Sequence, residues 1–155
     1  MDPYLLVRTL HIISATILFG TGIGIAFFML NSHFTNNLQQ KFFAAKTTVR
    51  ADYIFTAPAV IIQPLTGFWL ISNGGYDPMD LWLQLTYAIY IVAGLCWLPV
   101  VWIQIQMKKM ISVSLETQTE LPPRYNKLFR IWVTLGIPAF IGLVAIFFLM
   151  VMRPQ

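Results

Sequence analysis

The feature that most constrains this chain is a long run without a single Asp, Glu, Lys or Arg, from Thr9 to Gln40. Its centre, His11 to Leu30, reads HIISATILFGTGIGIAFFML. About 20 apolar residues are enough to cross the hydrocarbon core of a bilayer as a helix. Backbone amides in lipid must bond within their own segment, so an isolated span of this length is helical. One ionisable residue, His11, lies in its outer turns. A titratable group at membrane depth is costly and marks a functional-site candidate.

Further runs of the same kind follow, and composition settles the class. Hydrophobic residues make up 57% of the 155 and charged ones 10%, against roughly 45–50% and 25% in soluble domains. The expectation is an all-α polytopic membrane protein, a four-transmembrane-helix bundle forming one domain over residues 1–155. The spans fall at about 4–30, 53–72, 82–107 and 131–152. Asn31 to Asn37 supplies turn and cap formers after the first span. Leu38, Phe42, Phe43 and Val49 recur at helical spacing among Lys41, Lys46 and Arg50, so a short amphipathic helix at about 38–51 is expected at the interface. Pro58, Pro64, Pro99 and Pro138 fall inside spans, where neighbouring groups can satisfy the freed carbonyls. Pro122-Pro123 stops any helix leaving the third span. Trp82, Trp102 and Trp132 fall near segment ends, as interfacial aromatics do.

Lysine and arginine set the orientation. The first and third connections carry eight of them (Lys41, Lys46, Arg50, Lys108, Lys109, Arg124, Lys127 and Arg130), and the other side has only Arg8 and Arg153. The positive-inside rule then puts both termini outside. The net charge of +4 serves topology and lipid headgroups rather than nucleic acid. The opening Met-Asp-Pro lacks a basic n-region and no A-x-A site follows, so the first helix is expected to stay in the mature protein. Cys96, alone in an apolar segment, allows no intrachain disulfide.

Few residues carry chemistry. His11 shares its face with Ser14, Ala15, Leu18 and Gly22. Neutral imidazole is the commonest metal-binding side chain, so His11 is either a metal or axial haem ligand or a histidine bonded to another helix. His33 is about 33 Å further along the same helix, too far to share a ligand, and reads as a solvated interfacial residue. An iron at His11 would therefore be five-coordinate, take a methionine such as Met79 or Met150, or share His11 between protomers. Gly20, Gly22 and Gly24 suit close approach of another helix or a flat cofactor ring; the dinucleotide fingerprint they resemble needs a βαβ unit that a span cannot supply. Arg50, Asp52 and Tyr53 read as an anchor where the second span begins. Thr56, Gln63 and Thr66 read as interhelical hydrogen-bonding groups. Carboxylates are expected in loops and termini only, which leaves no intramembrane carboxylate relay.

Two stretches resemble a known group. Leu10 to Gly20 (LHIISATILFG) resembles the opening helix of the CopD/HemJ-like superfamily, which includes copper-resistance D membrane proteins and HemJ-type protoporphyrinogen IX oxidases. Arg50 to Trp69 (RADYIFTAPAVIIQPLTGFW) is similar to the HemJ second helix, and Val151-Met-Arg-Pro154 to its terminus. The match is closest to an uncharacterised branch of small bacterial integral membrane proteins. The resemblance implies a multi-pass protein of the bacterial inner (cytoplasmic) membrane with a redox role. It implies haem b at His11 and a looser counterpart for His33; Ser14 on the His11 face and Gly20, Gly22 and Gly24 below it are then the expected cofactor-binding surface. The HemJ third helix begins W-x-H-x-K, whereas Trp82-Leu-Gln-Leu-Thr86 has Gln84 and Thr86 at those positions, so an oxidase of that type is the further alternative. The scarcity of intramembrane charge supports another alternative, a non-catalytic accessory subunit, either homo-oligomeric or part of a larger membrane complex.

Overall fold

A computed structural model describes residues 2–154. Five α-helices account for nearly all of them: α1 Pro3–Phe34, α2 Leu38–Ala51, α3 Ala57–Gly74, α4 Leu81–Thr117 and α5 Pro123–Met152. No strand occurs among the described residues. Four helical rods are long and apolar enough to cross a membrane, because α2 and α3 join into one rod, Leu38–Gly74. The chain is therefore an all-helical membrane bundle of four spans.

The join between α2 and α3 is a π-helical turn, Asp52–Thr56. Pro58 explains it. A proline has no N–H and its ring crowds the carbonyl four residues back, here that of Ile54. The ladder widens by one residue, and the Ala57 N–H bonds the Asp52 carbonyl instead. The amphipathic segment expected at 38–51 thus forms with those bounds, yet it is the first half of a continuous rod rather than a helix set apart on the interface. It packs along α1 and α4.

Local chemistry fixes the ends. Asp2 accepts from the Tyr4 N–H at 2.9 Å and caps α1, with Pro3 in its first turn. The Asn37 side chain accepts from Gln39 and Gln40 N–H at 2.9 and 3.1 Å and caps α2. Lys41 is buried, with Nζ donating to the last carbonyls of α1 on Ser32 and His33. There it neutralises the negative end of the helix dipole. α4 runs ten residues past the expected 107 and ends where Gln118 turns left-handed, φ 52°. Pro123 opens α5 in its first turn, where a missing N–H costs nothing.

Packing is uneven along the bundle. Met29, Ala45, Ile103, Met107, Ile111, Tyr125 and Phe129 form a continuous core at the α2 end. Away from it, α1 packs along α3 and α4 along α5, making two hairpins. Between the hairpins, α3 and α4 meet through side chains: the Tyr90 hydroxyl donates to the Val60 carbonyl at 2.6 Å, and the Phe68 and Tyr87 rings lie 5.8 Å apart. The Val60 carbonyl needs that bond, because Pro64 has no N–H to offer it. On the other side, Phe19 of α1 stacks on Phe140 of α5 at 5.2 Å and meets Phe147 edge-to-face at 5.4 Å.

Two sequence expectations change here. His33 is not a solvated interfacial residue: its ring stacks on Phe129 at 3.7 Å, 7° from parallel, inside the aromatic cluster of the α2 end. Trp132 is likewise a core residue, buried against Phe129, because α5 begins a full two turns before the span boundary expected from hydropathy.

Candidate functional site

Two cavities lie between the hairpins, and Leu18, Tyr90 and Leu143 border both. The one nearer the chain termini measures about 370 Å³ and contains His11. The other, about 300 Å³, lies toward the π turn. Both are within the size range of small-molecule sites.

His11 is held in one orientation by α3. Its Nδ1 lies 2.7 Å from the Thr66 hydroxyl, which in turn lies 2.7 Å from the Ile62 carbonyl. Two oxygens at that distance need a proton between them, and the hydroxyl has only one. Thr66 therefore donates to Ile62, and His11 Nδ1–H donates to Thr66. The neutral ring then carries its lone pair on Nε2, which makes no hydrogen bond among the described residues. Gln63 anchors the same turn of α1, its Nε2 donating to the His11 carbonyl at 2.7 Å. Gly67 lies against the imidazole, where a Cβ would make an ordinary 3.4 Å contact with His11 Cε1 and a larger side chain would not fit.

The rest of this cavity is apolar inside and cationic at its mouth. Leu18, Phe19, Leu143 and Phe147 line the interior, and Met150 of α5 borders the same space as His11. Arg8 and Arg153 stand at the terminal end. The Arg153 guanidinium lies 5.0 Å from the Tyr76 ring and 5.7 Å from that of Trp82, within cation–π range.

The other residues singled out from the sequence are dispersed. Ser14 is buried against α3, its hydroxyl donating to the Ala59 carbonyl at 3.4 Å, and does not border the His11 cavity. Gly22 lines the second cavity, while Gly20 and Gly24 line neither. A Cβ at any of the three would meet nothing within 4 Å, so within this chain none of them serves close helix packing. That role falls to Gly142, where a Cβ would come 3.0 Å from Ile89 Cγ2. Met79 is exposed. Gln84 is exposed with its amide on the Met79 carbonyl, and Thr86 is buried on the Trp82 carbonyl. Gln63 and Thr66 are interhelical hydrogen-bonding groups, as their spacing predicts.

Asp52 departs furthest from expectation. Read as an interfacial anchor, it is only 3% exposed and faces the second cavity. Arg50 and Tyr53 beside it are exposed. The π turn explains the difference, because it rotates the Asp52 side chain inward at the middle of a continuous rod. Thr56, Trp97 and Gln104 surround the carboxyl. Among the described residues no group of three His, Cys, Asp or Glu side chains gathers to hold a metal ion.

Comparison with known proteins adds one assignment. The sequence profile of a family described as predicted integral membrane proteins (DUF2269) matches residues 5–154, and the chain belongs to that family. No curated protein and no solved structure matches it.

Proposed function

Taking that membership as the premise, we propose that this protein is a four-helix haem b protein of the bacterial inner membrane, with both termini outside and a redox role. The observation that carries the reading is the chain from Ile62 through Thr66 to His11. It leaves the Nε2 lone pair free at the edge of an apolar cavity, as an axial ligand requires, and second-shell bonds of this kind fix ligand tautomer and raise basicity. A bare metal ion needs several protein ligands at once. A porphyrin brings four of its own, so one histidine suffices.

The remaining residues fit the group. His11 would hold the iron, with Met150 bordering the same cavity as a second ligand. Phe19, Leu18 and Leu143 would pack the macrocycle, and Arg8 and Arg153 would meet its carboxylates at the mouth, as guanidinium groups do. Bound there, the iron would supply one-electron transfer at membrane depth. The resemblance to the CopD/HemJ-like superfamily supports the same ligand. Oxidation of protoporphyrinogen by the HemJ route lacks support, because Gln84 and Thr86 cannot titrate and neither borders the His11 cavity. The protein purified in detergent should carry haem b at one per chain by pyridine haemochrome, and His11→Ala should lack it. A wild-type preparation from haem-replete cells without haem would refute the proposal.

A second reading, an assembly subunit within a homo-oligomer or larger membrane complex, is favoured by one observation. Gly20 and Gly24 stand one turn apart on α1 with nothing from their own chain within 4 Å, a spacing that lets a second helix approach closely. Loss of self-association or of a co-purifying partner in Gly20→Leu, with haem retained, would identify that face as an interface.

A further inference from the structure

The second cavity is the place where the structure departs most from what a membrane bundle needs for its own stability. Its walls are almost wholly apolar, yet five of its lining residues carry a buried polar atom that makes no hydrogen bond of ordinary geometry: Asp52 Oδ2, Thr56 Oγ1, Gln104 Oε1, Trp97 Nε1 and Trp132 Nε1, with Thr56, Trp97 and Gln104 standing around the Asp52 carboxyl. Asp52, Gln104 and Thr56 are 3%, 1% and 5% exposed. A buried polar group without a well-formed hydrogen bond is a cost to the fold. Such groups are few in native proteins, and a cluster of them in one cavity requires an explanation.

The opposite walls are equally particular. Gly22 of α1, Gly94 of α4 and Gly136 of α5 all border this cavity, and a Cβ at any of them would point into open space. Packing requires none of the three. Three helices therefore leave side-chain volume out of the walls of this cavity, and the result is a smooth-walled slot rather than a filled core.

We propose that this cavity is a second binding site, independent of the one at His11, for a flat lipid-soluble ring with carbonyl or hydroxyl edges, of the quinone–quinol class. The shape follows from the glycine walls. The polar requirement follows from the donor and acceptor inventory: the indole N–H groups of Trp97 and Trp132 only donate, whereas a carboxylate and an amide oxygen accept. A ring bearing a carbonyl or a hydroxyl can pair with either kind of group in its two states. The apolar lining excludes a freely water-soluble ligand. Access fits too, because α3 and α4 meet through side chains rather than along their backbones, leaving a lateral approach from the bilayer. The π turn is what aims Asp52 into the slot, and such bulges are frequent at functional sites.

The test uses the full-length protein in nanodiscs with decyl-benzoquinone as probe, read by quenching of tryptophan fluorescence. The expected result is a saturable phase, weakened tenfold or more by Gly136→Leu, which fills the slot from a position with room for the side chain, and weakened by Asp52→Asn and Gln104→Leu. Lys46→Met, on the exposed side of α2, leaves it unchanged, and haem content read on the same samples separates this site from the haem proposal. Quenching that rises linearly with quinone, or a saturable phase indifferent to Gly136→Leu and Asp52→Asn, overturns the proposal and assigns the polar cluster to water. A photoreactive azido-benzoquinone on the unmodified protein provides a check that needs no variant: labelling within the Trp97–Gln104 turns of α4 supports the site, and labelling confined to other segments overturns it.

Discussion

Replacing Thr66 with valine removes one hydroxyl and nearly nothing else, which makes it the sharpest probe of the His11 arrangement. The Ile62 carbonyl keeps its backbone partner, the Thr66 N–H, so α3 itself should survive. What is lost is the 2.7 Å bond from His11 Nδ1. Facing a methyl group, Nδ1–H would be an unpartnered donor worth about 1–3 kcal/mol. The ring can escape that cost by moving its proton to Nε2, which masks the lone pair needed for iron. Either way the ligand is weakened, and loss of such an outer partner generally lowers metal affinity 10–100-fold, or roughly 1.4–2.8 kcal/mol. Haem titrated into the apoprotein should therefore bind 10–100-fold more weakly to Thr66→Val, and Thr66→Ser should restore the wild-type affinity. Equal haem affinity in wild type and Thr66→Val, with both folded, would refute the reasoning that the α3 hydroxyl prepares His11.

Other consequences can be checked alongside it. Gly67→Ala should be tolerated, since its Cβ would make an ordinary 3.4 Å contact with His11 Cε1, whereas Gly67→Leu should displace the ring and abolish haem binding at normal helix content by circular dichroism. Tyr90→Phe strips the Val60 carbonyl of its donor and should destabilise the bundle by about 0.6–1.7 kcal/mol, the range of interhelical bonds in membranes. In a Pro64→Ala background, where a backbone N–H returns to that carbonyl, steric-trapping measurements should find the same substitution cheaper; an unchanged cost would show that Pro64 is not the reason for the bond. Lys41→Met removes two bonds from the last carbonyls of α1 and should cost about 1–3 kcal/mol in the same assay, more than Lys46→Met on the same helix.

The spans were legible because lipid leaves the backbone no alternative to a helix, so hydropathy over Thr9–Gln40 and its counterparts carries the assignment. Helix ends were legible where the chemistry is local, as where Asn37 caps α2; Pro122-Pro123 reads from the sequence only as a stop, whereas Pro123 opens α5 eight residues before the expected 131. The junction at Asp52 was not. A charged residue after Lys41, Lys46 and Arg50 reads as an interfacial anchor, and only the widened turn imposed by Pro58 brings its carboxyl inside. His33 was misread for a similar reason. Its neighbours Ser32 and Asn31 are polar, but the rings that stack on it, Phe129 and Tyr125, come from α5 and lie nearly a hundred residues away. Gly20, Gly22 and Gly24 show the limit of spacing arguments: they are close in sequence, yet only Gly22 borders a cavity. At His11 the sequence singles out a candidate but not the groups that contact it. Thr66 and Gly67 are adjacent polar and small residues of a kind that membrane helices use everywhere, and only the register of α3 against α1 puts them on the imidazole.

The central claim, that His11 holds an iron, is tested most directly by a reduced-minus-oxidised absorbance spectrum of the detergent-purified protein beside its His11→Ala variant. The account predicts a b-type α band in the wild type and none in the variant. A wild-type spectrum without that band, or a band of equal intensity in His11→Ala, would contradict it.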